Sequence, residues 1–289
     1  MIDQAIRLTG IGASEVGAVL GLNPYVSPLD VYLEKRQEMP SFSGNEHTRL
    51  GKRMEAPILA EYAERTEQAV VPLFDETFRS KTHEFMLASP DAKLVAKPKL
   101  VEVKNVGARM AHNWGDVGTD QIPEMYLLQV AAQMHVMDVP EVDIAALIGG
   151  NDFRIYTMER DADLEKMVVG AVEKFWQGNV LAAIMPEIRD TERTREWLKK
   201  RYPRDVELLR PANEEESELM LSLKSARGMR ETLETKENEL KLQLQAMVGD
   251  AEGIAGDGFK LTWKLDGGKK SYTVKEQPPK RVFRPTWQS

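Results

Sequence analysis

Across residues 100–104 apolar and charged side chains alternate as Leu-Val-Glu-Val-Lys, whereas across 48–66 Met54, Ile58, Leu59 and Tyr62 return at helical spacing. The first pattern predicts a strand with Val101 and Val103 on one face and Leu100, Glu102 and Lys104 on the other. The second predicts a helix, in which Pro57 requires either a start near Ala56 or a kink. Shorter β-like pieces precede the strand at 69–73, 76–79 and 85–88. Upstream, 14–20 reads as a short helix stopped by Gly21, and Ser27-Pro28 opens a helix through "PLDVYLEKRQ". Downstream, the glycine-rich stretch 106–121 has no strong period and reads as a loop. Pro123 opens a helix over "PEMYLLQVAAQMHVM", and "VDIAALIGG" and "DFRIYTMER" alternate as a hairpin around Gly149-Gly150. The run "DADLEKMVVGAVEKFWQGNV" is an amphipathic helix capped by Asp161 or Asp163.

Beyond about Pro186 the pattern changes. Leu219, Ala226, Leu233, Leu240 and Met247 recur every seven residues in a charged background, a coiled-coil-type stripe. That stripe must bury against something, either a return helix near 192–209 or a second copy. Trp197, Leu198, Tyr202, Leu208 and Leu209 give the return helix an apolar face, although Pro203 interrupts it. The runs "GFKLTWKL" and "KKSYTVKE" then predict a hairpin around Asp266-Gly267-Gly268. With 289 residues the chain exceeds one typical domain, and the change of pattern divides it into 1–190 and an extension, 191–289. A chain ending near Asp190 is expected to retain any chemistry carried by the first part.

Composition narrows the chemistry. The absence of cysteine removes disulfides, zinc–thiolate sites and thiol nucleophiles together. No apolar run approaches membrane-spanning length and the start has no apolar leader, so a cytoplasmic protein without membrane attachment is expected. A net charge of −7 argues against coating nucleic acid through bulk charge but leaves room for a local basic channel. Lys269, Lys270, Lys275, Lys280, Arg281 and Arg284 make the tail basic.

Asp91 follows a proline and precedes the 100–104 strand across a connection short enough to fold back as a hairpin. Such a hairpin brings Asp91, Glu102 and Lys104 to one sheet end. Two carboxylates there suit a hard cation such as Mg²⁺, and a lysine beside them offsets charge on a phosphate. The plainer reading is a Glu102–Lys104 surface pair with Asp91 capping a turn, and spacing alone does not remove it. Glu55 on the preceding helix is a candidate third carboxylate. Gln129 and Gln133 lie four apart on one helix face, which is either a wet surface or the lining of a polar site. His83 and His112 lack metal-ligand spacing, and Trp114 either wedges into a duplex end or packs.

The stretch "SPDAKL…LVEVKN" resembles the PD-(D/E)XK nuclease signature. Together with "IGASEVGAVLGLNPYVSPLDVYLEK", "GKRMEAPILAEYAERT", the helix around Gln129 and "ALIGGNDFRIYTMERD", it is similar to the YqaJ-like viral recombinase family. That is a lambda-exonuclease-like group of the PD-(D/E)XK superfamily, and the likeness covers about residues 5–185 in five separated blocks. One departure is Ala92-Lys93, where the family often has Asp-Gly after the proline. The resemblance implies an α/β fold with a mixed central sheet flanked by helices, followed by the helical and β-hairpin extension. It implies Asp91, Glu102 and the Val103 carbonyl as metal ligands, with Lys104, Glu55 and Gln129 in catalytic positions. Arg7 and Ser14 fall where the family binds a terminal 5′-phosphate, and a helix beginning at Ser14 would favour an anion there. The implied activity is a Mg²⁺-dependent 5′→3′ exonuclease, with Mn²⁺ as a substitute. It degrades double-stranded DNA from its ends and leaves 3′ single strands for recombination by strand annealing. A single-strand annealing protein, a ring-like homotrimer and a phage or prophage setting in a bacterial host belong to the same expectation. The rivals are a PD-(D/E)XK endonuclease and a catalytically silent DNA-binding or assembly module.

Overall fold

In chain order the elements of the computed structural model are α1 (Gln4–Arg7), β1 (Ile11–Gly12), α2 (Val16–Val19), α3 (Pro28–Lys35), α4 (Glu46–Thr66), β2 (Val70–Pro72), β3 (Phe78–Arg79) and β4 (Met86–Ala88). They continue with β5 (Ala92–Leu94), β6 (Lys99–Val106), α5 (Glu124–Met137), β7 (Glu141–Ile148), β8 (Asp152–Glu159), α6 (Ala162–Phe175) and α7 (Glu192–Arg201). The last are α8 (Glu214–Val248), β9 (Gly253–Gly256) and β10 (Phe259–Thr262). The structure describes residues 4–41, 44–205 and 209–263, and the chain divides between Arg201 and Tyr202 into two units.

The first unit is built on a five-stranded sheet of order β2-β5-β6-β7-β8, in which only β6 and β7 run parallel. Parallel neighbours need a crossover, and α5 supplies it. Alternation along β6 sorts its side chains as the pattern requires. Val101 and Val103 pack with Ile58, Leu59 and Tyr62 of α4, whereas Leu100 and Val106 pack with Val130 and Met134 of α5. A second, three-stranded sheet of order β1-β4-β3 lies beside α2, α3, α5 and α6 around a third cluster that includes Leu128, Ala131, Ala132 and Val136. Helix α5 is therefore shared between two cores and buried nearly all round, which a helix tolerates only when almost every position is apolar. Gln129 and Gln133 are the polar exceptions among its fully buried residues.

Several elements follow their local signals. Ser27 caps α3 with Pro28 in the first turn, Asp161 rather than Asp163 caps α6, and Gly149 and Gly150 take positive φ in the β7–β8 turn. Helix α4 does not start near Ala56: Asn45 caps it eleven residues earlier, accepting the Thr48 N–H, and it runs through Pro57. Strand β5 was hidden because three residues after a proline carry no period. Within 106–121 a 3₁₀ turn forms at Ala108–Asn113, and Trp114 packs against Tyr126 and Tyr156, which removes it as a duplex wedge.

Helix α7 packs on the first unit: Trp197 joins its core, and Thr191 and Thr194 hold the buried Asp30 at 2.8 and 3.0 Å. Arg193 adds a 3.0 Å pair to Glu34. In the second unit Phe259–Thr262 pairs backward with Gly253–Gly256 across the two-residue turn Asp257-Gly258, and the expected turn at Asp266-Gly267-Gly268 lies outside the described residues. The arm at 269–276 and the basic tail lie outside the described residues. Along α8 the heptad residues Leu219, Leu233, Leu240 and Met247 are exposed. No helix among the described residues is long and apolar enough to cross a membrane.

Ending the chain at Asp190 strips two hydroxyl donors from a carboxylate with no solvent exposure, a loss of about 1–3 kcal/mol for an unsatisfied buried group. A chain ending at Arg201 should therefore melt several degrees above one ending at Asp190 in a thermal scan. Equal melting temperatures would show that Asp30 does not need α7.

Candidate active site

Pairing between β5 and β6 ends at Ala92 and Val101, so β6 runs on without a strand neighbour on that side. The Val103 N–H would be left unpaired there, and the Asp91 carboxylate accepts it at 2.7 Å. The N–H and C=O of one strand residue point to the same neighbour, so the Val103 carbonyl also faces the Asp91 side. One residue after a proline, a side chain thus substitutes for a missing strand.

Glu102 and Lys104 project from β6 toward α5, and neither forms an isolated surface pair. Glu102 Oε1 accepts from Lys104 Nζ at 2.7 Å and from Gln129 Nε2 at 2.6 Å, and its Oε2 accepts from Gln133 Nε2 at 2.7 Å. Gln129 Oε1 accepts from Lys104 Nζ at 3.1 Å, closing a ring of three side chains. Lys104 also stands 4.7 Å over the Tyr126 ring. Burial pulls the lysine pKa down, but Glu102, Tyr126 and Asp91 together outweigh it and hold Lys104 above its ordinary value, so it stays charged.

A cleft of about 220 Å³ is lined by Arg7, Ser14, Glu55, Asp91, Gln129 and Gln133, with Lys52 and Asp75 paired at 2.8 Å on the same wall. Of the residues singled out from sequence, Arg7, Ser14, Glu55, Asp91 and Gln129 therefore share one space. Glu102, Val103 and Lys104 do not line it and reach it through the two glutamines and Asp91. Burial, reinforced by Glu102, pushes the Asp91 carboxyl up to about 8. Burial also raises Glu55, against the opposing pull of Lys52.

This donor set fits a hard divalent cation, because it offers only oxygens and holds two carboxylates close enough to penalise each other's charge. Among the described residues no group of three or more histidine or acidic side chains gathers at metal-binding range. Asp91, Glu102 and the Val103 carbonyl would suit an ion that keeps several waters.

The helix-start argument for Ser14 is corrected. Gly12, not Ser14, precedes a 3₁₀ turn at Ala13–Glu15, and α2 adds only four residues. Glu15 already occupies the Gly12 N–H at 2.7 Å. Ser14 remains as an exposed hydroxyl on the cleft. Its neighbour Arg7 is fixed from behind, where the buried Lys35 donates to the Arg7 carbonyl at 2.8 Å and to both Glu15 oxygens. Sequence reading missed Lys35 and Glu15, since "YLEK" gives no sign that its lysine is buried. Of the two readings open for Gln129 and Gln133, a wet surface or the lining of a polar site, the second holds: both line the cleft.

A mixed sheet carrying Asp91, Glu102 and Lys104 at one strand end is the PD-(D/E)XK fold, and solved structures agree. An alkaline exonuclease from Laribacter hongkongensis superposes with a TM-score of 0.51 at 19% identity, over 68% of this chain and 95% of that one. The same enzyme in complex with dAMP superposes at 0.50. The chain belongs to the YqaJ-like viral recombinase family: that domain matches residues 4–140, and the Bacillus subtilis (strain 168) protein YqaJ is 30% identical over 266 residues, covering 89% of this chain and 81% of its own. A mimivirus protein, R354 of Acanthamoeba polyphaga mimivirus, is 28% identical over 149 residues but is spanned for only 26% of its length.

The raised Asp91 pKa sets a direction for cation binding. Below about 8 the carboxyl holds a proton that a cation must displace, so apparent affinity should rise with pH and level off above it. The folding linkage has the same origin. A carboxyl raised above its unfolded value lowers stability progressively as pH climbs from about 4 to about 8, because over that range the unfolded state has released the proton that the folded state still holds. The thermal stabilisation given by Mg²⁺ should grow between pH 6 and 8 and be small and flat in Asp91→Asn. A pH-independent shift in the wild type would contradict this assignment.

Proposed function

We propose that the chain is a metal-dependent 5′→3′ exonuclease acting on double-stranded DNA ends and leaving 3′ single strands for strand annealing. The observation that carries this reading is the closed Glu102–Lys104–Gln129 ring next to Asp91, beside a cleft that also presents Arg7 and Ser14. When bound, Mg²⁺ or Mn²⁺ would be held by Asp91, Glu102 and the Val103 carbonyl, supplying an activated water and charge stabilisation at the phosphate.

The protein's own groups do the rest. Lys104, held charged and anchored by Glu102 and Gln129, offers a fixed positive charge toward the phosphate in transit. Glu55, raised by burial, is suited to accept or return a proton in the cleft. Arg7, backed by Glu15 and Lys35, gives the cleft a guanidinium for a terminal 5′-phosphate. The Laribacter exonuclease, which shares the fold and forms a complex with dAMP, supports a mononucleotide product.

With Mg²⁺, linear 5′-phosphorylated duplex should be degraded to mononucleotides while a closed circular duplex survives. Cleavage of the circle would favour an endonuclease, and no cleavage of either would favour a silent DNA-binding module. Glu102→Ala should reduce digestion to background, and Lys104→Ala should slow it by roughly 10²–10³-fold. Wild-type rates in both variants would overturn the proposed centre.

Arg7→Ala should lower the rate on 5′-phosphate ends while leaving 5′-hydroxyl ends nearly unaffected, and Ser14→Ala should do so more weakly. The ratio of the two rates is the readout. An unchanged ratio would remove both residues from end recognition.

A further inference from the structure

The two glutamines of α5 are not equivalent. Gln129 uses both ends of its amide, giving Nε2 to Glu102 and taking Lys104 on Oε1. Gln133 gives Nε2 to Glu102 Oε2 at 2.7 Å, but its Oε1 is buried and has no hydrogen-bond partner, alone among the buried side-chain polar atoms of the described residues. The amide is not reversed to remedy this, because its oxygen would then face the Glu102 Oε2 that now accepts from Nε2, setting two oxygens 2.7 Å apart. The side chain is only 1% exposed, and a buried acceptor without a donor costs about 1–3 kcal/mol. Native structures rarely leave such a group unsatisfied without a reason.

What completes it must carry a hydrogen or a positive charge. Gln133 lines the cleft beside Asp91 and Ser14. A phosphate oxygen is excluded, since an acceptor facing the amide oxygen would repel it. Lys104 is committed to Glu102 Oε1, Gln129 Oε1 and the Tyr126 ring. The remaining donor class is water held in the cleft, and a water is most strongly polarised when it hydrates a cation.

We infer that Gln133 is a positioning residue of the cation site, fixing the orientation of Glu102 through Nε2 and accepting a hydrogen bond from a hydration water of the cation through Oε1. This rests on the metal-dependent reading given above. It explains why α5 carries a second polar residue where both flanking cores call for an aliphatic one. It also predicts that Gln133 acts before DNA arrives, on cation affinity itself. Groups that orient ligands in this way typically change metal affinity by about 10–100-fold.

The test is Mn²⁺ binding by titration calorimetry on the full chain without DNA, comparing wild type with Gln133→Met, a substitution of similar length that offers neither hydrogen bond. The expected result is a dissociation constant weakened by roughly 10–100-fold in a variant that still unfolds cooperatively. A constant within a factor of two of wild type in the folded variant would overturn the inference and leave the nuclease reading standing. If wild type itself takes up no Mn²⁺, both fall. Should Gln133→Met fail to fold, a Mn²⁺-bound crystal structure of the wild type decides. A water shared by the ion and Gln133 Oε1 supports the inference, and a water on Oε1 that does not touch the ion overturns it.

Discussion

The first unit depends on how a buried carboxyl group, Glu102, is satisfied between two cores. Nearly free of solvent, it would be strongly destabilising if its oxygens were left without donors. Three donors converge on it from Lys104, Gln129 and Gln133, and these arrive from one strand and one helix. That requirement fixes the angular position of α5 on the sheet. Rotating the helix by one residue would bring an aliphatic side chain against Glu102 and drive a glutamine into a hydrocarbon cluster. The register of β6 against β7 is constrained in the same way, because a one-residue slip would exchange Glu102 and Lys104 for Val101 and Val103.

Around that constraint the structure separates two kinds of polar burial. Asp30, fully buried, is satisfied by Ser27, Thr191 and Thr194 and is closed to any ligand. Asp91 is satisfied by one backbone amide and otherwise faces the cleft, where its charge is opposed by burial and by Glu102. The first arrangement contributes cohesion between α3 and α7. The second holds unfavourable electrostatics in reserve, which a cation can relieve.

Much of this was legible in the chain. Alternation at 100–104 assigned each side chain of β6 to its face, and Ser27-Pro28 and Asp161 marked their helix starts, because these signals are local. The threonine partners of Asp30 lie 161 and 164 positions away, and no periodicity carries information over that distance. Lys35 reads as a surface residue for the same reason: what buries it is the packing of α1 and the 13–15 turn. The placing of Arg7 and Ser14 at the cleft came from family likeness, whereas Glu55 was a candidate from its position on the preceding helix. Gln133 could be seen as a misfit, but only coordinates separate an amide with both ends used from one with a lone pair to spare.

The bond from Val103 to Asp91 gives the molecule an internal indicator. Because the acceptor of that amide is an ionisable side chain and not a neighbouring strand, the electron density at the Val103 N–H follows the charge on Asp91. A proton on that carboxyl, or a cation if one were held there, would withdraw charge from the acceptor and weaken that single contact. The nitrogen and proton resonances of one backbone position thereby report the ionisation of the centre. Elsewhere in β6 the amides that bond to β7 are insulated from it by main-chain partners.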